Sequence, residues 1–200
     1  MRMKTIPAVI GFSMGATVLF AQVNPSMTPM DVHGKWGNFV DETLSPLTIG
    51  AGLFNGAEAH VTNTDPKYGT DLPAFGAQVG ASMGDIVTQN FFADFLLAGA
   101  FHEDPRYFRR GEGFSMRSRI VYAISRSVVT HTDAGRSRFN WSNVLGNALS
   151  GSLSNAYYPG SARTASDTFQ RIGVGILGTG LVRLAPEFWP DFRRKVFGRR

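Results

Sequence analysis

The chain has 200 residues, of which 43% are apolar, 18% charged and 12% aromatic, with 23 Gly, 10 Pro and no Cys. That length suits one globular domain, the apolar share excludes a disordered chain, and the lack of Cys excludes disulfide scaffolds, cysteine nucleophiles and thiolate metal sites. The formal net charge of +5 hides an asymmetry: residues 1–100 carry 4 Lys+Arg against 8 Asp+Glu, net −4, whereas residues 101–200 carry 16 against 7, net +9.

In chain order, the first element is a basic start (Arg2, Lys4) followed by an apolar stretch from Ile6 to Phe20 and the small residue Ala21. That layout predicts a secretory signal over residues 1–21, and hence a mature protein in the periplasm or outer envelope. Residues 22–40, with Pro25 and Pro29, are predicted as a linker. Residues 41–200 then form a single helical domain with an aromatic-basic C-terminal tail. A helix is expected to start at Ser45-Pro46 and run towards His60, followed by a loop over Asn63–Leu72.

The longest periodic segment is Pro73–Phe101. Phe75, Val79, Met83, Val87, Phe91 and Phe95 fall at consecutive i+4 steps, beside a ridge of Gly76, Gly80 and Gly84. Rows at that spacing lie side by side on a helix, so the segment is predicted as a central helix, buried on most sides, with its glycine ridge admitting a close neighbour. It should stop before Asp104-Pro105. A basic turn over Arg106–Gly113, a helix over Phe114–Thr130 and a short β-hairpin near 128–139 are expected next. Helices over Asn140–Tyr157 and Thr164–Leu184 and the tail Pro186–Arg200 complete the chain. No segment beyond the signal offers about 20 predominantly apolar residues for a helical membrane span. The expected fold class is mainly α: a compact bundle of about five helices with Gly-mediated close packing and one short hairpin.

Two motifs mimic catalytic signatures. Gly80–Gly84 fits G-x-S-x-G around Ser82, but it sits inside the i+4 ladder rather than at a strand-to-helix turn. Gly173–Gly178 fits G-x-G-x-x-G without a convincing strand before it. No cofactor and no metal site is expected. The densest polar signal is His102-Glu103-Asp104-Pro105-Arg106-Tyr107. It is not H-E-x-x-H, since Arg106 stands where the second histidine would be. Should the protein be an enzyme, which the sequence does not favour, His102, Glu103 and Asp104 would serve an envelope hydrolase.

Basic residues carry the other signal. Of the 20 Lys+Arg, 16 are Arg, and eight of those lie between Arg106 and Arg138. Arg106, Arg109 and Arg110, with Trp189, Phe192, Arg193 and Arg194 of the tail, suit contact with an anionic membrane surface or an acidic envelope protein. Export and the lack of a recognition module exclude nucleic acid. The functional expectation is a secreted cell-envelope protein associated with an anionic membrane surface. An envelope hydrolase and a small-ligand or protein-binding module are the alternatives.

Four segments, His102–Arg109, Asn140–Asn147, Ser154–Pro159 and Glu187–Asp191, carry a resemblance covering about Ser45 to Phe197. The chain resembles a family of secreted bacterial proteins sharing H-[EQ]-D-P-R-Y-[FY]-R, N-x-x-x-x-G-N, S-N-x-Y-Y-P and E-F-W-P-D. The resemblance implies a mostly helical envelope protein and carries no assigned activity.

Overall fold

The structure, a computed structural model, describes residues 28–198. The expected export signal over residues 1–21 lies outside the described residues. Helix α1, Val32–Thr43, occupies ground predicted as linker: Asp31 caps it, its carboxylate accepting from Gly34 N at 2.7 Å. Both prolines of that stretch precede the cap, so neither interrupts the helix. Ser45 caps α2, Pro46–Thr62, with Pro46 in its first turn. Asp71 caps α3, Leu72–Asn90, which runs on through a π-helical segment, Phe91–Leu97, into α4, Ala98–Phe101. The rod from Leu72 to Phe101 is the predicted central helix. It ends at His102, in the left-handed region with φ 55°, two residues ahead of Asp104-Pro105.

The remaining elements are β1 (Glu103–Asp104), α5 (Met116–Ser125), β2 (Val129–Thr132), β3 (Ser137–Phe139), α6 (Trp141–Leu153), α7 (Ala165–Val182) and α8 (Leu184–Phe197). The expected hairpin is β2–β3, and β1 adds to it as a third antiparallel strand, with Asp104 opposite His131 and Thr130 opposite Arg138. The fold is therefore a mainly helical bundle with one small sheet. The rod packs on α2, α6 and α1, while α7 bridges α6 to α5, and α8 closes on α5 and α7.

Close helix packing exists, but through other glycines than the predicted ridge. A Cβ placed on Gly76 or Gly80 meets nothing within 4 Å, and one on Gly84 meets only the Tyr157 ring at 3.5 Å. The tight crossings are at Gly56, where a Cβ would lie 2.6 Å from Val79 Cα, and at Gly146, where it would lie 2.8 Å from Ala93 Cα. The i+4 ladder is only partly inward: Val79, Met83, Phe91 and Phe95 are half-buried, while Phe75 and Val87 are exposed.

What lies inside is mostly polar. Among the described residues the buried set holds 23 polar or charged side chains against 12 hydrophobic ones, seven of them alanine. On α6 the buried face is Ser142, Asn143, Gly146, Asn147, Ser150 and Gly151. Trp141, Leu145, Leu149 and Leu153, at i+4 steps, form its exposed face. Asn143 and Asn147 satisfy each other and Ser127 O inside the bundle.

Substituting Gly146→Ala is expected to cost about 1–3 kcal/mol, because the new methyl meets the Ala93 backbone rather than a yielding side-chain tip. Gly76→Ala is expected to gain up to about 1 kcal/mol, since it removes helix-interior glycine entropy at an open position. Denaturant midpoints of the two variants, measured side by side, check both signs.

Candidate functional site

The histidine-acid corner sends three consecutive side chains to three places. The His102 side chain is 85% exposed, its Nδ1 3.9 Å from Asp133 Oδ2. Glu103 is fully buried and caps α6, accepting from Trp141 N at 3.3 Å and Ser142 N at 2.9 Å, with Arg138 Nε 3.3 Å away. Asp104 grips Arg106, accepting from its Nε at 2.9 Å and its Nη2 at 2.6 Å. Successive strand residues point to opposite faces, which separates Glu103 from Asp104. His131, on β2, turns its ring edge-on to Phe108, with centroids 5.4 Å apart. Ser82 lies mid-helix in α3, and Gly173–Gly178 lies wholly within α7. No group of three His, Asp or Glu able to hold a metal is found among the described residues.

The arginine-rich strip divides into paired and free members. Arg109 donates to Asp191 Oδ1 at 2.7 Å and Glu187 O at 3.1 Å. Arg119 donates to Glu187 Oε1 at 2.6 Å and Asp191 Oδ2 at 2.5 Å. Glu187 also accepts from Tyr107 Oη at 2.8 Å and from the backbone N–H groups of Arg110 and Gly111. Burial raises the pKa of Glu187, but the hydrogen bonds from Arg119, Arg110 N, Tyr107 and Gly111 N outweigh it and leave the pKa lowered. Arg109 and Arg119 likewise overcome burial to hold Asp191 well below the usual carboxylate range. Arg106 and Arg109 are thus tied up internally. Arg110 is exposed and lies over the Phe114 ring at 4.3 Å, and Arg193 and Arg194 are exposed on α8. Arg194 meets Glu112 at 2.5 Å in a solvent-exposed pair.

Other buried acids are shifted the opposite way, towards protonation. Burial, then repulsion from Asp94, pushes Glu42 up to about 8 against the attraction of Arg183. Burial also raises Asp94 to about 6, with Arg183 opposing. Asp94 belongs to the π-helical segment, a local geometry that re-phases a helix and is frequent at functional sites. Asp85, raised to about 6 by burial, accepts from the Tyr157 and Tyr158 hydroxyls at 2.5 Å each. Sequence reasoning passed over Glu42, Arg126, Arg183 and the role of Glu187. Its one available signal was lone acids inside apolar helices, where a charge has no reason to sit without a partner.

Outside, the apolar surface is broad. Ile49, Leu53, Phe54 and Val61 of α2, the α6 stripe, and Phe169 and Leu177 of α7 are all exposed. All three tryptophans, Trp36, Trp141 and Trp189, are exposed as well. On α8, Trp189 stacks on Phe192 with centroids 5.7 Å apart, and Val196 and Phe197 stand exposed beside Arg193, Arg194 and Lys195. No described helix is long and apolar enough to cross a membrane. Comparison with family models, curated proteins and solved structures finds no match.

These ionisations predict a stability maximum near about pH 5. Glu187 and Asp191, with lowered pKa values, add stability above their ordinary values of about 4.5 and 3.8, and it is lost as pH falls through their folded values. Glu42 works in the opposite sense: its folded pKa is raised, so stability declines between pH 4.5 and about 8. Glu42→Gln should flatten that alkaline decline and leave the acid limb in place, as read from denaturant midpoints across pH. Glu187→Gln should instead cost about 3 kcal/mol at neutral pH, because it removes one of the two carboxylates that pair with buried Arg119.

Proposed function

We propose that the chain is an exported helical cell-envelope protein that lies at an anionic membrane surface with its apolar helix faces towards lipid. One observation carries the reading: polar and charged side chains fill the interior, while large apolar ones face outward on α2, α6, α7 and α8. A water-facing bundle of this size ordinarily has the reverse arrangement, because each large apolar side chain left in water forgoes about 1.5–3 kcal/mol. Exposed apolar area on this scale marks a contact with lipid or another apolar partner. Lipid is favoured here by the company those residues keep. The three tryptophans suit the boundary between acyl chains and headgroups, and α8 flanks its aromatic row with cations.

Of the residues expected to meet the membrane, Arg110, Arg193, Arg194, Trp189 and Phe192 are the exposed ones. Arg106 and Arg109 serve the interior instead. Among the described residues no helix is long and apolar enough to span, and the reading for that part is of a protein that lies in the interface.

Flotation with vesicles tests this. The full-length mature chain should float with anionic vesicles, and part of that binding should survive about 1 M salt, where the Debye length is about 3 Å and only apolar contact persists. Joint replacement W189S/F192S should remove the salt-resistant part, whereas R193Q/R194Q should weaken binding mainly at low salt. A chain that stays in solution as a defined oligomer and never floats would assign the apolar faces to a second copy and overturn the lipid reading.

A further inference from the structure

A second feature of the interior points to a ligand. Between the end of α5, strand β2, the start of α6 and the end of α7 lies a cavity of about 30 Å³. On the same measure a single water needs about 10–15 Å³, so the space exceeds that of one water and admits the leading oxygens of an anion. Its polar lining includes Arg126, His131, Asn143, Thr179 and Arg183, with Asp94 on the π-helical side.

The arginines here are treated differently from the rest of the interior. Arg106, Arg109 and Arg119 each grip a carboxylate, and Arg171 reaches Asp65 and four further acceptors. Arg126 and Arg183 form no ion pair among the described residues. Arg183 is over nine-tenths buried, and its Nη1 has no acceptor, although its Nη2 reaches Pro105 O at 3.3 Å. Arg126 has buried Nε and Nη1 groups without acceptors, its guanidinium lying 4.4 Å from the centre of the Tyr122 ring. Buried guanidinium N–H groups left unpaired are costly, and an oxyanion is the partner whose geometry matches them.

Charge balance at the cavity agrees. The ionisable groups facing it are Asp94, Arg106, Tyr107, Arg126, His131 and Arg183. Asp104 cancels Arg106, and Arg183 offsets the Glu42–Asp94 pair behind it, which leaves Arg126 uncompensated. The neutral donors around it are mostly committed elsewhere: Asn143 Nδ2 donates to Ser127 O and Thr179 Oγ1 to Asn143 Oδ1. The guanidinium groups are the open donors.

We infer that this cavity binds a small oxyanion, phosphate or the phosphoryl end of a headgroup, held by Arg126 and Arg183. His131 stands beside the same charge. Burial and the nearby Arg126 lower its pKa, so an anion seated between them should raise it.

The test titrates the mature protein with inorganic phosphate, glycerol phosphate and acetate, with chloride at matched ionic strength as the reference. Heat of binding and the His131 ring signals in NMR are followed together. Saturable binding of phosphate or glycerol phosphate, with the His131 pKa rising, is the expected result. Tighter glycerol phosphate assigns a headgroup as the source, and equal or tighter phosphate assigns the free ion. Arg126→Gln should weaken binding by about 10- to 100-fold, with Arg126→Lys recovering part of it. Should Arg126→Gln fail to fold, the wild-type titration still decides. No saturable response beyond chloride, acetate matching phosphate, or a His131 pKa that stays fixed at saturation would overturn the assignment.

Discussion

Buried charge has to be answered by opposite charge or by hydrogen bonds, and in this fold Glu187 is where that requirement is concentrated. Its carboxylate, fully excluded from solvent, accepts from Tyr107, from the backbone of Arg110 and Gly111, and from Arg119. Its carbonyl accepts from Arg109 and Arg119. One residue on α8 thereby fixes the loop after β1 and the buried side of α5. Removing either member of such a cluster leaves an uncompensated ion, a far larger penalty than the net worth of the intact pair. Lys35 acts alike at the other end, joining α1 to Ala98 O and to Asp133 in the hairpin turn.

An interior built this way has little room for large apolar side chains. Helices meet through alanine, serine and glycine, as at Gly146 on Ala93, and are held by polar contacts such as Thr88 to Ser150 and Thr179 to Asn143. Small residues at crossings with hydrogen bonds between helices are the means of association where the hydrophobic effect does not drive helices together. The outward Trp, Leu and Phe of α6 and α8 are the complement of that interior. The membrane proposal and the polar centre thus have the same physical root.

The two regions differ in how their acids are poised. Around Glu187 and Asp191 the arginines hold the carboxylate pKa values down, whereas burial raises those of Glu42 and Asp94. The first arrangement holds the C-terminal helix in place. The second places the Glu42–Asp94 pair behind Arg183, which offsets the charge that pair retains and leaves Arg126 facing the cavity without a counter-charge.

Local chemistry in the sequence determined where elements begin and end: Ser45 and Asp71 cap α2 and α3, the central rod stops just short of Asp104-Pro105, and Asp133 to Gly135 turns the hairpin. Those features depend on a few adjacent residues, so they are legible without the fold. The i+4 rows showed which residues share a helix face, yet not which face turns inward. Phe75, Val87, Leu145 and Leu149 were legible as apolar rows, and the packing of neighbouring helices put them outside. Likewise the corner His102-Glu103-Asp104 was visible as a polar cluster, while its dispersal came from strand alternation and from α6 needing a cap. Which arginines would find carboxylates was decided only in three dimensions. Arg119 and Glu187 stand 68 positions apart, and no rule of local spacing brings them together. Pairing at that distance depends on where the helices carry each charge.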